Sequence, residues 1–163
     1  MQEIRRKEKT ITDNNQMKKI LQHTKYITIA MCDKNEPYLI TLTHGYESEH
    51  NVIYFHCASE GKKIDILKKN NIVWGQALID KGYIEGKCDQ LWATVMFRGM
   101  VSFIADADEK RHALKVMIKQ QEKNPEQVMK KQITEKSLKR VNIGRIDIEY
   151  MSGKKADKVT ISL

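Results

Sequence analysis

Hydrophobic and polar residues alternate along most of this chain with the two-residue period of β-strands. Alternating or short apolar segments cover residues 26–32, 38–46, 52–57, 72–80, 91–104 and 142–150. In the last segment, Ile146, Ile148 and Tyr150 share one face. The polar links at residues 33–35 and 47–51 are short, so the strands that they join must pair antiparallel.

Helical spacing is confined to the start of the chain and to gaps between the strands. Residues 17–21 carry Met, Ile and Leu at helical positions, and a short helix is expected over residues 64–69. A longer helix begins at Asp106. Asn124-Pro125 ends it and starts a second one, since proline suits the first position of a helix. Two consecutive helices are therefore predicted before the last strand.

The order of these strands and helices predicts the fold class. Six antiparallel strands with helices at the periphery fit a small barrel, because the strand–helix alternation of a parallel sheet is absent. At 163 residues the chain is about one domain long and can bury a core unaided. We expect one domain over residues 1–163, mainly β with peripheral helices (α+β), built as a six-stranded antiparallel barrel.

A formal charge of +8 raises the possibility of nucleic-acid binding. The lysines and arginines are spread along the chain with acidic residues between them, as on ordinary solvated surfaces, so no nucleic-acid partner is expected. The first ten residues are mostly charged and no segment approaches a membrane-spanning length, so we expect a cytoplasmic protein without a membrane partner.

Cysteine and histidine spacing gives little sign of a metal site. Cys32, Cys57 and Cys88 are widely separated, which suits free thiols in a reducing compartment. The five histidines lack ligand spacing and no paired carboxylates accompany them, so no metal is expected. No catalytic Ser-His-Asp or Cys-His-Asn set, dinucleotide glycine fingerprint or Walker loop is present, which argues against hydrolases and nucleoside triphosphatases.

The junction between residues 54 and 70 has the character of an anion site. A strand pattern changes there into a helix pattern across a loop that ends in Gly61, Lys62 and Lys63. The first amides of a helix are unpaired donors at its positive end, where lysines are unfavourable unless a bound anion offsets them. Gly61 would let the backbone approach such an anion closely. The alternative is that both lysines extend into solvent.

Four pieces of the sequence carry a family resemblance. They are Ile4-Arg5-Arg6-Lys7 with Ile11-Thr12-Asp13, Glu36-Pro37-Tyr38 with Gly45-Tyr46, residues 53–56 with 60–65, and Ile148-Glu149 with Gly153-Lys154-Lys155. Taken in this order, the chain resembles the flavin-binding split-barrel proteins of the pyridoxamine-phosphate-oxidase-like superfamily, most closely the nitroimidazole-resistance branch. It departs from that pattern at Thr41-Leu42-Thr43-His44 and at Asn70-Asn71, where relatives often carry proline.

The resemblance implies an FMN site at the interface of a homodimer, within a split β-barrel of the FMN-binding type. Gly61, Lys62 and Lys63 would hold the phosphate. The ring would lie along a set of strand residues, Thr41, Leu42, Thr43, Tyr54, His56 and Cys57, with Trp92 and Thr94 reaching the site from the second subunit. Without a ligand, the same residues would be an ordinary β-branched strand, a buried cysteine and a core tryptophan.

His56 is the candidate catalytic residue. Strand alternation places it on the same side as Tyr54, with His44 on a neighbouring strand, and a histidine at this position is a hallmark of the branch that the chain resembles. The activity implied is an oxidoreductase that takes a hydride from NAD(P)H and reduces a small acceptor such as a nitroaromatic, which His56 would contact or protonate. The alternatives are a non-enzymatic protein that stores or senses a flavin or a haem ligated by His56, and a strand-end histidine satisfied by backbone.

Overall fold

One curved sheet of eight antiparallel strands organises the chain. The computed structural model describes residues 4–156 and 159–160. The strands are β1 (Thr10–Ile11), β2 (Tyr26–Asp33), β3 (Glu36–Thr43), β4 (Gly45–Glu47), β5 (Val52–Cys57), β6 (Ile72–Ile84), β7 (Asp89–Phe103) and β8 (Asn142–Lys155). Their order across the sheet is β3-β2-β6-β7-β8-β5-β4, and β1 pairs with β8.

In the described part of the chain, a 3-10 helix (Lys7–Lys9) precedes five α-helices that accompany the sheet. They are α1 (Asn14–His23), α2 (Lys62–Lys69), α3 (Ala107–Gln121), α4 (Pro125–Gln132) and α5 (Glu135–Arg140). The carboxylates of Asp13 and Asp106 cap α1 and α3 by accepting a backbone N–H, and Pro125 stands in the first turn of α4. Among the described residues, no helix is long and apolar enough to cross a membrane.

The predicted fold class is confirmed, but two counts were wrong. The sheet has eight strands rather than six, because the predicted strand over residues 38–46 is interrupted at His44 and because Thr10–Ile11 adds a short strand on β8. The region between β7 and β8 holds three helices rather than two. The third, α5, is six residues long and begins at a capping box between Thr134 and Ser137. The predicted domain, residues 1–163, extends beyond the described residues.

The interior of the curved sheet is filled by aromatic rings and by one face of α1. Ile20 and Leu21 of α1 are fully buried there, together with Phe55 and Phe97. Each ring lies over a glycine of the neighbouring strand. A Cβ at Gly144 would come within 2.2 Å of the Phe55 ring, and one at Gly75 within 2.1 Å of the Phe97 ring. A second buried cluster, which includes Tyr54 and Met117, lies where α3 packs against β5.

The sheet closes on itself at His44. Strands β3 and β4 lie at opposite ends of the strand order, yet only this residue separates them in sequence. The chain therefore passes from one edge of the sheet to the other at this point, which makes the fold a split barrel rather than an open sheet. We call residues 43–45 the seam.

The C-terminal end of α3 holds the seam through two glutamines. The Gln120 side chain accepts a hydrogen bond from the Tyr46 amide at 2.8 Å and donates to the carbonyls of Leu21 and Thr24. The Gln121 amide group donates to the His44 carbonyl at 2.8 Å and also to that of Lys25. A Cβ at Gly45 would lie 2.6 Å from the α3 backbone, so only glycine permits this approach. Helix α3 thus bridges the gap between the two edges.

Replacing Gln120 with alanine should destabilise the protein by about 2–3 kcal/mol, because three hydrogen bonds to backbone groups in a half-buried setting are lost. Urea unfolding followed by circular dichroism measures the change. Gln127→Ala, at an exposed position on α4, is the matched control and should change stability by less than about 0.5 kcal/mol. Equal effects of the two substitutions would contradict the role assigned to Gln120.

Candidate functional site

Helix α2 begins without a side-chain cap. Its N-cap residue is Gly61, with φ +118°, a backbone conformation that favours glycine. The amides of Ile64 and Asp65 donate to the Gly61 carbonyl, whereas the amides of Lys62 and Lys63 precede any possible intrahelical acceptor. A Cβ at Gly61 would meet nothing within 4 Å, so the loop is open on that side. Geometrically, this is a turn that can receive an anion.

The two lysines of this turn have different surroundings. The Lys62 ammonium lies 4.7 Å from the centre of the Tyr38 ring and 3.6 Å from a Glu36 carboxylate oxygen, so it leans towards the start of β3. Lys63 is half-buried. Burial raises the pKa of the Cys57 thiol, while the positive charge of Lys63 and a hydrogen bond from Asn142 act in the opposite direction. A raised pKa disfavours the nucleophilic thiolate, so Cys57 is better suited to lining than to chemistry.

Strand β3 contributes a free edge. Among the described strands it pairs only with β2, so the backbone groups along its other side have no partner in any of these strands. The side chains of Thr41 and Thr43 are exposed on one face, and Leu42 packs towards the core. The Thr41 hydroxyl lies 3.1 Å from that of Thr28 on β2. The backbone of β3 can therefore offer donors and acceptors to a ligand, as the predicted ring contacts require.

Thr94 and Trp92, the two residues of β7 that are predicted to reach a cofactor, already have partners within the protein. The Thr94 hydroxyl is buried, donates to the Ala77 carbonyl and accepts from the Gln76 side chain. Trp92 is half-buried against the core, with the Lys9 ammonium 6.0 Å from its ring centre. Their proposed contact with a cofactor in a second subunit stays a prediction.

A large apolar surface lies on the same side of the sheet as Thr41, Thr43 and Thr94. The register of β3, β2, β6 and β7 places these threonines in rows with exposed apolar side chains. We call this surface the apolar sheet face. Its large members are Tyr26, Leu39, Ile72, Trp74, Leu78, Met96 and Met100, of which Leu39 is 61% and Leu78 53% exposed. Contiguous exposed apolar side chains of this kind mark interaction surfaces.

Tyr54 and His56 lie on one side of β5, but they meet different surroundings. Tyr54 is buried beneath α3 and its hydroxyl donates to Glu47 at 3.0 Å. Burial, and next the Glu47 carboxylate, raise the pKa of this phenol. Its side chain is therefore committed to the protein, and its backbone lies in the sheet between β4 and β8, so the contact of Tyr54 with a cofactor stays a prediction. His56 is exposed, and within the described part of the chain its imidazole makes no hydrogen bond or ion pair.

His56 and His44 line one cavity of about 430 Å³, as their predicted proximity requires. The cavity lies between the ends of β3 and β5 and the helices that follow β7. Thr43 belongs to its wall, and so do the apolar side chains of Leu114 and Met117 on α3. These helical wall residues were not singled out from the sequence, because their spacing indicates only the buried face of a helix.

His44 is a buried neutral base. Its Nε2 lies 3.0 Å from the Leu21 carbonyl, and the two hydrogens of the nearby Gln120 amide already serve the carbonyls of Leu21 and Thr24. The proton therefore sits on Nε2, which leaves Nδ1 as a buried acceptor without a donor among the described residues. Burial lowers the pKa of His44 to about 4, against the partial opposition of the Leu21 and Lys25 carbonyls.

The described residues contain no group of three or more His, Cys, Asp or Glu side chains that could hold a metal ion. Cys32, Cys57 and Cys88 are free thiols. The chemistry available to the chain itself is thus that of an anion-receiving turn, a free strand edge and an imidazole at a cavity.

These features define a class of protein: a split barrel that combines an open, basic helix start with a cavity beside the barrel seam. The sequence profile of the pyridoxamine 5'-phosphate oxidase family matches residues 13–155. The chain therefore belongs to the pyridoxamine 5'-phosphate oxidase family. No curated protein matches it.

Solved structures share the fold. A candidate 5-nitroimidazole antibiotic resistance protein from Bacteroides thetaiotaomicron is 26% identical, with a TM-score of 0.76, over 90% of this chain and 86% of that one. The flavocytochrome Anf3 from Azotobacter vinelandii has a TM-score of 0.78 at 16% identity, over 94% and 72% of the two chains. An FAD- and haem-binding protein from Mycobacterium smegmatis has a TM-score of 0.74 at 15% identity, over 91% and 74%.

The buried neutral His44 should make stability depend on pH. Its pKa is lowered from 6.5 to about 4 in the folded chain, so between these values the unfolded chain binds the extra proton. The contribution of neutral His44 to the free energy of unfolding is complete above pH 6.5. It is lost as the pH falls towards 4, by roughly 3 kcal/mol in all. We expect His44→Gln to flatten the fall in unfolding free energy over this range. Parallel curves for the two proteins would rule out this origin.

Proposed function

We propose that the protein binds FMN and is an oxidoreductase that passes electrons from NAD(P)H to a small acceptor, with nitroaromatics among the candidates. The observation that carries this proposal is the uncapped start of α2, where Gly61 opens the loop and Lys62 and Lys63 supply positive charge. We expect the protein to work in the cytoplasm, where its free cysteines stay reduced.

The residues present fit the phosphate end of FMN. A phosphate placed at the free amides of Lys62 and Lys63 would receive charge-assisted hydrogen bonds and would offset two cations at the positive end of a helix. The free edge of β3 would face the polar rim of the ring, with Cys57 as lining. Bound there, FMN would supply the electron-transfer chemistry that these side chains lack.

His56 has the position expected of a group that meets the acceptor. It is exposed at the end of β5, five residues before Gly61, and lines the cavity together with Thr43 of β3. An imidazole without other partners can donate a hydrogen bond or a proton to a reduced product. We assign His56 this role in the proposed reaction.

A second copy of the chain is the proposed occupant of the apolar sheet face. Thr41 and Thr43, two of the proposed cofactor contacts, lie on this face beside Leu39. A partner seated there would cover the exposed apolar side chains and would bring its own residues, Trp92 and Thr94 among them, towards the cofactor. A homodimer with FMN at the subunit interface thus accounts for both the bare face and the position of the threonines.

The main test is FMN binding and turnover. Purified protein titrated with FMN should become yellow, be bleached by NADH or NADPH, and regain its colour on addition of a nitroaromatic. The double variant Lys62→Ala/Lys63→Ala should lose FMN affinity by about tenfold or more, because charge-assisted phosphate contacts are removed, and should lose riboflavin affinity by less than about twofold.

Lys68→Ala is the matched control, since Lys68 is exposed near the opposite end of the same helix. It should bind FMN as the unsubstituted protein does. Protein that takes up no FMN contradicts the proposed function. Equal losses for FMN and riboflavin would contradict the phosphate assignment alone.

A non-enzymatic haem or flavin carrier is the second candidate. His56 lines a cavity with its imidazole uncommitted, and two structures of the same fold are a flavocytochrome and an FAD- and haem-binding protein. In the same spectra, a Soret band on addition of haemin that disappears in His56→Ala would favour this candidate. Haemin without a band would argue against it.

The proposed dimer predicts the effect of a charge on the apolar sheet face. Leu78 is 53% exposed there, so Leu78→Glu should shift the protein from dimer to monomer in light scattering after size exclusion, and should weaken FMN binding. Gln127→Glu adds the same charge on α4 and should leave the dimer intact. A monomer in the unsubstituted protein would refute the proposed assembly.

A further inference from the structure

Helices, and not the sheet, form one wall of the cavity that His56 lines. The apolar part of this wall consists of Leu114, Met117, Ile118 and Val141, from α3 and from the end of α5. A volume of about 430 Å³ is within the range of small-molecule sites. Since Thr43 and His56 belong both to the cavity and to the proposed cofactor contacts, the cavity adjoins the proposed FMN site.

Permanent positive charge is missing from the described lining of this cavity, although the whole chain carries a formal charge of +8. No lysine or arginine lines it, and the one carboxylate is that of Glu122, which is exposed. The remaining polar side chains are hydroxyls, amides and two imidazoles. His44 cannot act as a cation near neutral pH, because burial lowers its pKa to about 4.

The composition of this lining favours uncharged ligands over anions. An anion would give up its hydration in a mostly apolar space, gain no fixed cation and meet the field of Glu122. An uncharged aromatic molecule would lose little hydration and would pack against Leu114 and Met117. The basic start of α2 has the opposite preference, so the two neighbouring sites are matched to ligands of different charge.

We propose that this cavity binds the acceptor and selects uncharged, largely apolar aromatic molecules over anionic ones, with the polar edge of the molecule towards His56. The inference rests on the proposed function for the identity of the neighbouring cofactor. Helix α3 then has a second task beyond closing the barrel, since Leu114 sets the size of the acceptor.

Two matched probes test the charge preference. 4-Nitrobenzyl alcohol is neutral and 4-nitrobenzoate is anionic, and both are titrated calorimetrically into the protein with and without FMN. The alcohol should bind at least about tenfold more tightly than the acid. Glu122→Lys should cut this ratio to below about threefold by improving the affinity for the acid. Equal affinities in the unsubstituted protein, or a preference for the acid, would overturn the proposal.

Leu114→Trp tests the wall, because the larger ring fills the cavity. It should weaken binding of the alcohol at least about tenfold, whereas Lys115→Trp, at the exposed neighbouring position of α3, should leave it unchanged. Circular dichroism checks that both variants fold, and an unchanged affinity in folded Leu114→Trp would place the acceptor elsewhere. FMN titration separates the two proposals: protein that fails to bind FMN contradicts the proposed function, while protein that binds FMN but not the alcohol contradicts this inference.

Discussion

Closure of the sheet at a single residue is the constraint on which the rest of this structure depends. Strands β3 and β4 form the two edges of one sheet, and the chain passes between them at His44. Without a helix across this point, the backbone groups on both sides of the seam would lack partners. Gln120 and Gln121 provide those partners from one turn of α3. Burial of His44 as a neutral base follows from the same closure.

The seam also determines where a site can form. The strand end that leads into it carries Thr43, and the strand end beside it carries His56, so the cavity opens where the two edges of the sheet approach one another. The start of α2 follows β5 after a short loop, which brings an electropositive turn close to the same strand end. A basic turn and a mostly apolar cavity, whose described lining has no lysine or arginine, are thus neighbours because of how the barrel closes.

Most strands and the first three helices could be predicted from the sequence, because their apolar residues repeat with periods of two or of about 3.6. The start of α4 could be predicted as well, from Asn124-Pro125. The break at His44 could not be predicted, since Thr43-His44-Gly45 continues a strand pattern locally and only the pairing of distant strands reveals the two edges. Helix α5 was missed because six mostly polar residues give no periodic signal. The exposure of Leu39 and Trp74 could not be predicted either, because apolar residues in a strand pattern are expected in the core until the sheet topology is known.

The parts of the site differ in how well the local sequence pattern predicts them. The Gly61 turn is visible in the sequence because it depends on residues adjacent to one another. The partners of Tyr54 and Thr94 come from other strands, so their engagement in the fold became visible only with the tertiary structure.

Helices α3 to α5 form one uninterrupted insertion between β7 and β8, and they add no strand to the barrel. They nevertheless supply most of the cavity wall. Substitutions within this segment can therefore change the cavity wall while the strand framework and the α2 turn keep their sequence. The segment is also suited to engineering: a library confined to its cavity-facing positions, with the glutamine pair, Gly45 and the buried Met117 held fixed, would vary the cavity wall while the centre of the second buried cluster stays intact.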